Sequence, residues 1–435
     1  MARARLPRAD AGPLSTGPTS AAEPSIPVPA PAAPVALYVH VPFCVSVCPY
    51  CDFVVYAGSV ARGPATRVGA FVGALLAELD LRADAADAAF GAGREPLRTV
   101  YLGGGTPTLL PADSVTSILD RVRLRFGVAR DAEVTIEANP GPDERGDMRA
   151  LVAAGVTRLS LGAQAMDPSL LRRLGRRHRP SDVVDAVVEA RAAGIASVSL
   201  DLLYDVPGQT GSSWAATLDA ALALAPDHVS AYALTLDDPD EEGLTGPLGD
   251  HLPTTAGARR WRAAATREQS DDRAAEQYRL AVERLGAAGY RGYEISNWGR
   301  PGHESRHNLA YWQRRPYEAV GPGAHAFDGM TRRWNAAQLH GYLAALAPAA
   351  GVGPSLPPGG SGVATAADAA AEEVILALRL DTGLAIETAE AGPLAPHLAW
   401  ALESGLLERF HGAGERVRLT LRGRLLSNEV FVRLV

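Results

Sequence analysis

The sequence predicts an α/β protein built on a parallel sheet, followed by a smaller, mostly helical unit. Three observations predict it. Short apolar, β-rich runs alternate with amphipathic helical stretches from Val35 onward. Proline and glycine fall where those helices should start and stop. At 435 residues, 47 % of them apolar, the chain is long enough for more than one core.

In chain order, residues 1–34 are rich in Ala, Pro, Ser and Gly. Arg3, Arg5 and Arg8 make the start basic, but the apolar core of a secretory signal does not follow. So little to bury predicts a disordered tail. Strands are expected at 36–41, 99–102, 133–137, 158–161, 197–203 and 228–236. Helices are expected between them, at about 66–88, 112–126, 144–154, 181–193 and 213–224. Val183, Val184, Val187, Val188 and Ala190 mark one buried helical face. Pro111, Pro142, Pro180 and Pro226 punctuate helix boundaries, and Gly127, Gly155 and Gly194 stand at C-cap positions. Repeated βα units imply right-handed crossovers, with chemistry at the carboxyl ends of the strands. This core unit spans 35–238.

Residues 239–347 form a connecting region. Its first part, 239–272, turns polar and Arg-rich and reads as a surface insertion; a helix follows at about 272–288. Residues 348–364 are rich in Gly, Pro and Ser and read as a linker. In 365–435, helices at 370–380 and 396–403 precede a hairpin of 406–409 with 416–421 across Gly412 and Gly414. A last helix starts near Arg422. Helices plus a hairpin predict a winged-helix-like module, and without a basic excess it reads as a packing or lid domain. The formal net charge of −7 argues against a nucleic-acid partner. Every basic side chain other than histidine is arginine, so a lysine Schiff base is excluded. No stretch approaches the roughly 20 apolar residues of a membrane span.

The chemistry concentrates in His40-Val-Pro-Phe-Cys44-Val-Ser-Val-Cys48-Pro-Tyr-Cys51-Asp-Phe53, which holds all 3 cysteines of the chain. Three thiolates spaced C-x3-C-x2-C suit three corners of a [4Fe–4S] cluster, leaving the fourth iron open to an outside ligand. A structural zinc site or a set of buried thiols is the alternative, but structural zinc asks for four protein ligands. His40 could be the fourth, by a cramped approach. Thr99-Val-Tyr-Leu-Gly103-Gly104-Gly105-Thr106-Pro-Thr108 is a strand ending in three glycines, where amides and the Thr106 hydroxyl can meet a ligand closely. Glu137, Gln164 and Asp201 are polar residues at successive strand ends, converging on one pocket mouth. Arg176 can grip a carboxylate, although Arg172, Arg173 and Arg177 make a solvated basic face an equal reading of that cluster. A third stretch, Tyr293-Glu-Ile-Ser-Asn-Trp298 through His303, His307-Asn-Leu-Ala-Tyr311-Trp312 and Gly321-Pro-Gly-Ala-His325, gathers aromatics, histidines and arginines. These suit a flat macrocycle with propionates and an iron axial position. A core of aromatics with satisfied histidines reads equally well from composition.

The cysteine stretch with Tyr38 before it resembles the radical S-adenosylmethionine (SAM) superfamily. It is closest to the branch of oxygen-independent coproporphyrinogen dehydrogenases and HemW-type haem chaperones. The resemblance runs from about Val35 to Val435 and includes GGGTPT, HNxxYW and the C-terminal Leu419-Thr420-x2-Gly423-Arg424-x2-Ser427-Asn428. It implies a partial (β/α)6 barrel and a cluster on Cys44, Cys48 and Cys51 whose open iron chelates SAM. By the same resemblance Tyr38, Gly104, Gly105, Thr106, Glu137, Gln164, Arg176 and Asp201 match nucleotide- or SAM-contacting positions. His307 matches the histidine implicated in haem binding, with less weight on His303 and His325. Asp205 departs from the family, standing where glycine is expected.

Three functions fit the branch: a haem chaperone that passes haem to acceptor proteins, a coproporphyrinogen III dehydrogenase, or a related methyltransferase. The dehydrogenases continue C-x-C after the third ligand; here Cys51-Asp52-Phe53 replaces it. They also carry a structured N-terminal arm, whereas this start is Ala/Pro-rich. Both differences favour the chaperone, with SAM and the cluster gating haem transfer or dimerisation. That reading implies a cytoplasmic protein, an electron donor such as a flavodoxin or ferredoxin, haem-acceptor proteins, and a homodimer as a candidate assembly.

Overall fold

The computed structural model describes residues 30–58, 66–347 and 353–435. Most of the expected tail, and residues 348–352 of the expected linker, lie outside the described residues. Residues 30–34, the end of that expected tail, carry no regular structure, yet the Ala32 amide donates to Asp328 O at 2.8 Å.

The elements run β1 (Ala36–Val41), α1 (Thr66–Phe90), β2 (Leu97–Gly104), α2 (Ala112–Phe126), β3 (Val128–Ala138), α3 (Met148–Ala153) and β4 (Arg158–Gln164). They continue with α4 (Pro168–Arg173), α5 (Pro180–Ala193), β5 (Ser197–Tyr204), α6 (Gly211–Ala223) and β6 (His228–Ala233). These six strands pair in chain order, all parallel. Then come α7 (Ala256–Thr266), α8 (Asp271–Ala287), β7 (Arg291–Gly292), β8 (Asn297–Gly299) and α9 (Arg306–Trp312). β9 (Tyr317–Val320), β10 (His325–Phe327), β11 (Thr331–Asn335), α10 (Leu339–Leu346) and β12 (Gly359–Val363) complete the larger body. β9 adds parallel to β1, and β10, β11 and β12 follow antiparallel; β8 and β7 extend the other side from β6. The result is one 12-stranded sheet. Residues 359–363, inside the stretch expected as a linker, are thus a sheet strand.

The alternation within the strands sets the layers. Leu37, Val39 and Val41, then Val134 and Ile136, Leu159 and Leu161, Val198 and Leu200, and Val229 and Ala231 all enter one core with α1, α2, α3, α5 and α6. The intervening residues are polar: Tyr38 and His40, Glu133, Thr135 and Glu137, Arg158 and Ser160, Ser199 and Asp201, His228 and Ser230. The concave face they share is a polar lumen, unlike the packed apolar interior of a full eight-stranded barrel. Each helix joins by a few large apolar anchors; α2 buries Val115, Ile118, Leu119, Val122 and Phe126, each worth about 1.5–3 kcal/mol relative to exposure. Gly194 closes α5 at φ +95°, a left-handed C-cap that glycine takes without strain.

The C-terminal body has its own core around Leu378, Leu398, Val417 and Leu419. It comprises α11 (Ala366–Arg379), β13 (Leu384–Ala385), α12 (Ile386–Ala389), α13 (Ala395–Glu403), β14 (Leu407–Gly412), β15 (Gly414–Leu419), α14 (Leu421–Leu425) and α15 (Ser427–Phe431). β13, β15 and β14 form a small antiparallel sheet. The body docks through buried ion pairs: Arg379 with Glu294 at 3.1 Å, and Arg314 with Glu372 at 3.0 Å.

Candidate functional site

β1 ends at Val41 and the chain turns into the cysteine loop at the carboxyl ends of the strands. Phe43 anchors the loop, 2 % exposed and edge-on to Phe71 with ring centres 5.1 Å apart. The loop closes on itself: Tyr56 N donates to Pro42 O at 2.6 Å, and Cys44 N to Tyr56 O at 3.0 Å. Cys51 N donates to Cys48 O at 3.0 Å, a turn that brings the second and third thiols to one side. No disulfide joins the three, and all are half-buried. Burial pushes the Cys44 thiol up to about 11, and burial plus the charge of Cys48 drives Cys51 well above the usual thiol range. Such thiols stay protonated in water-like surroundings and become thiolates only when a positive centre binds them. Among the described residues no three His, Cys, Asp or Glu side chains gather round one point as a single metal ion requires.

The glycine run packs against this loop. Gly104 has φ +108°, and a Cβ there would fall 2.3 Å from the His40 ring. A Cβ on Gly105 would fall 2.5 Å from Phe43 O. The amides of this run are met within the protein. Gly104 N donates to Glu137 Oε2 at 2.9 Å, Gly105 N to Val41 O at 2.8 Å and Thr106 N to Phe43 O at 2.7 Å. The Thr106 hydroxyl, 1 % exposed, accepts from Asn139 Nδ2 at 2.9 Å and lies 3.6 Å from Cys44 Sγ. The glycines serve a close approach, and what approaches is the cysteine loop itself.

The other candidate residues lie along the parallel strands and the turn after α4. Glu137 accepts from the Tyr101 hydroxyl at 2.7 Å, and burial raises its carboxyl to about 7. Asp201 accepts from the Ser160 hydroxyl at 3.0 Å and is also raised, chiefly by burial. Gln164 sits at a register shift of β4 with φ +62°, a left-handed conformation that is strained for a residue with a side chain. Arg172, Arg173 and Arg177 are exposed, whereas Arg176 turns inward. Its guanidinium donates to Asn139 Oδ1, to Gly162 O at 2.6 Å and to Cys48 Sγ at 3.7 Å. Tyr38 lies across the lumen, its hydroxyl 3.0 Å from His40 Nδ1. Glu137, Gln164 and Asp201 thus lie on the neighbouring strands β3, β4 and β5, and Arg176, from the turn between α4 and α5, reaches Cys48.

His307 is elsewhere. α9 lies across the amino ends of the strands, at the opposite mouth of the lumen. Glu133 accepts from the amides of Arg306 and His307, both at 3.1 Å, placing a carboxylate at the helix start. His307 is 1 % exposed, with Nδ1 2.8 Å from Thr99 Oγ1 and Nε2 2.8 Å from the Tyr311 hydroxyl. A neutral imidazole donates at one nitrogen and accepts at the other, so both are spent. Burial lowers its pKa to about 3, which keeps it neutral. In this conformation neither nitrogen faces an open space. His303 also belongs to this floor, 3.1 Å from Ser197 Oγ, where Arg158 donates to His303 O at 3.0 Å. His325 is at the rim, half-buried, stacked on Trp334 and 2.9 Å from Asp250 Oδ2.

Three contributors went unread in the sequence. Asn139 bridges Thr106 and Arg176; its signal was an Asn-Pro pair closing an apolar strand. Glu144, 7 % exposed, lies near Cys44, and burial raises its carboxyl. Arg262, in the stretch read as a surface insertion, reaches the cysteine loop.

The Radical SAM superfamily model matches residues 38–221, the segment that carries this constellation. A haem chaperone HemW of Mycobacterium tuberculosis is 41 % identical over 403 residues, 92 % of this chain and 95 % of the relative. The chain belongs to the HemW family of radical SAM proteins. The Bacillus subtilis haem chaperone HemW is 31 % identical over 91 % of this chain and 97 % of its own. Among solved structures, the coproporphyrinogen III oxidase HemN of Escherichia coli superposes with a TM-score of 0.73, covering 93 % of this chain and 91 % of that one. At 24 % identity that likeness establishes the fold. These two HemW relatives match nearly end to end. No helix among the described residues is long and apolar enough to cross a membrane.

Proposed function

We propose that the chain is a haem chaperone that carries a [4Fe–4S] cluster and binds SAM beside it. Cys44, Cys48 and Cys51 are the cluster ligands in this reading. Tyr38, Gly104, Gly105, Thr106, Glu137, Gln164, Arg176 and Asp201 form the SAM pocket. When bound, the cluster supplies an open iron that can chelate the amino and carboxylate groups of SAM. The protein's own part is positioning: Arg176 offers a cation beside Cys48, and Glu137 and Asp201 offer acceptors for an ammonium or ribose hydroxyls.

The observation that carries the chaperone reading is Phe53. It stands two residues after Cys51, 47 % exposed, where a dehydrogenase would place a further cysteine. It agrees with the name borne by the near-full-length relatives. Haem-acceptor proteins, a low-potential donor of the flavodoxin or ferredoxin kind, and a second copy of the chain are the partners this function asks for. The test is anaerobic reconstitution followed by incubation with coproporphyrinogen III and SAM. No protoporphyrinogen IX, together with haem retained on the purified protein and handed to an apo-acceptor, is the expected result. Turnover to protoporphyrinogen IX would overturn the reading in favour of the dehydrogenase. Haem titration of His303→Ala, His307→Ala and His325→Ala assigns the axial ligand.

A further inference from the structure

α7 brings one buried cation to the cysteine loop from outside the segment that the superfamily model covers. Arg262 is 6 % exposed although it is a charged side chain. Its guanidinium donates from Nε to Pro49 O at 3.1 Å and from Nη2 to Cys51 O at 2.9 Å. Nη1 donates to Asp237 O, just beyond β6. The planar fork therefore ties two carbonyls of the loop, one of them on the third cysteine itself, to the carboxyl end of the parallel sheet. Next to it Trp261 packs on Tyr50, ring centres 6.3 Å apart, and donates from Nε1 to Arg173 O at 3.1 Å. The loop between Cys48 and Cys51 is thus held on one side by Arg176, through a sulfur, and on the other by Arg262, through the backbone.

Burying a guanidinium without a carboxylate partner is costly unless its donors are met and a negative charge lies nearby. Its three acceptors are neutral carbonyls. An anionic thiolate-ligated centre beside Pro49 and Cys51 would supply the missing negative charge. We infer that Arg262 is a positioning residue for the cluster, fixing the backbone of Cys51 and adding positive charge that favours the reduced state. This rests on the assignment of Cys44, Cys48 and Cys51 as cluster ligands. A lysine could supply charge but not the three-way fork.

The experiment uses the full-length protein reconstituted anaerobically, with Arg262→Met and Arg262→Lys beside the parent. Iron and sulfide per chain, the midpoint potential, and the electron paramagnetic resonance spectrum of the reduced cluster with and without SAM are measured. For Arg262→Met, cluster affinity should fall roughly 10–100-fold, as for other residues that orient metal ligands. The one-electron reduction equilibrium should shift about tenfold toward the oxidised form, about 59 mV. Arg262→Lys should keep a potential near the parent's yet lose cluster more readily, because the fork is gone. Parental iron content, potential and spectrum in Arg262→Met would overturn the inference. Circular dichroism of the apo-proteins checks folding; where Arg262→Met fails it, parental cluster retention in Arg262→Lys overturns the inference instead. Failure of the underlying assignment looks different: the parent itself would load no cluster, or Cys51→Ser would load as the parent does.

Discussion

Replacing His307 by alanine separates a structural histidine from an iron ligand. The side chain holds two hydrogen bonds of 2.8 Å, a buried one to Thr99, which is 2 % exposed, and one to the half-buried Tyr311. Removing it leaves each partner short of a bond, at about 1–3 kcal/mol apiece. It also removes ring contacts with Tyr101 at 5.0 Å and Tyr311 at 4.9 Å, about 0.5–1.5 kcal/mol each. Together these amount to about 3–9 kcal/mol, a large share of the roughly 5–15 kcal/mol that holds a protein folded. Equilibrium unfolding in urea, followed by tryptophan fluorescence, should show the midpoint fall while haem affinity and spectrum stay unchanged. Thr99→Val is the gentler companion, losing one bond and about 1–2 kcal/mol. pH adds an independent check. The folded-state pKa of His307 is about 3, below the ordinary 6.5. Between those values the unfolded chain binds a proton that the folded one does not. Its contribution is therefore complete above pH 6.5 and is lost as pH falls toward 3, at up to about 1.4 kcal/mol per pH unit. The His307→Ala variant should lose that part of the acid sensitivity. A haem affinity that drops tenfold or more, with parental stability, would refute the structural assignment.

The remaining predictions concern the other end of the lumen and the domain contact. Glu137 has its carboxyl raised to about 7 from 4.5, so the ionised acceptor prevails only above that value. SAM affinity, measured by equilibrium dialysis, should fall about tenfold from pH 8 to pH 6, and Glu137→Gln should flatten the profile. In the window from 4.5 to 7 the folded state binds the extra proton, so burying Glu137 costs stability as pH rises; apo Glu137→Gln should unfold later than the parent at pH 8. Single Ser replacements of Cys44, Cys48 or Cys51 should each abolish stable iron and sulfide incorporation on anaerobic reconstitution. Arg379→Met strands Glu294, which is 0 % exposed and pairs with Arg379 at 3.1 Å. It should cost about 3–5 kcal/mol and make the C-terminal body the first region cut in limited proteolysis.

The βα core was legible because its elements carry strong local signals. Helix α2 falls on the expected residues, and Gly127 and Gly194 close their helices where capping predicts. What escaped notice has physical reasons. β10, β11 and β12 are short, and Gly359, Gly360 and Gly362 in β12 resemble a linker because that strand is built for close approach: a Cβ on Gly359 would meet Trp334 O at 1.9 Å. Arg262 sits in a charged helix whose pattern reads as solvent-facing, and only tertiary packing shows that it turns toward Cys51. Asp205 stands where glycine is expected, and it does adopt φ +56°. Its carboxylate accepts from Arg273 Nε at 2.9 Å, so an ion pair offsets the backbone strain there.

The largest lesson was present in the strands themselves. Arg158-Leu-Ser160-Leu and Ser197-Val-Ser199-Leu-Asp201 alternate polar with apolar, whereas a parallel strand buried on both faces should run apolar throughout. That alternation specifies a sheet with helices on one side and a polar lumen on the other. Once a polar lumen exists, its two mouths can diverge. At the carboxyl mouth, strained or raised groups such as Gln164 and Glu137 share the end of the sheet from which the cysteine loop leaves. At the amino mouth, Glu133, Arg158, Thr99 and His228 are paired off against the segment from Tyr293 to Tyr311. A histidine-rich motif near the second mouth satisfies buried polar strand ends that would otherwise face one another without partners. Both readings of that motif fit its composition; the distances at Thr99 and Tyr311 favour the structural one.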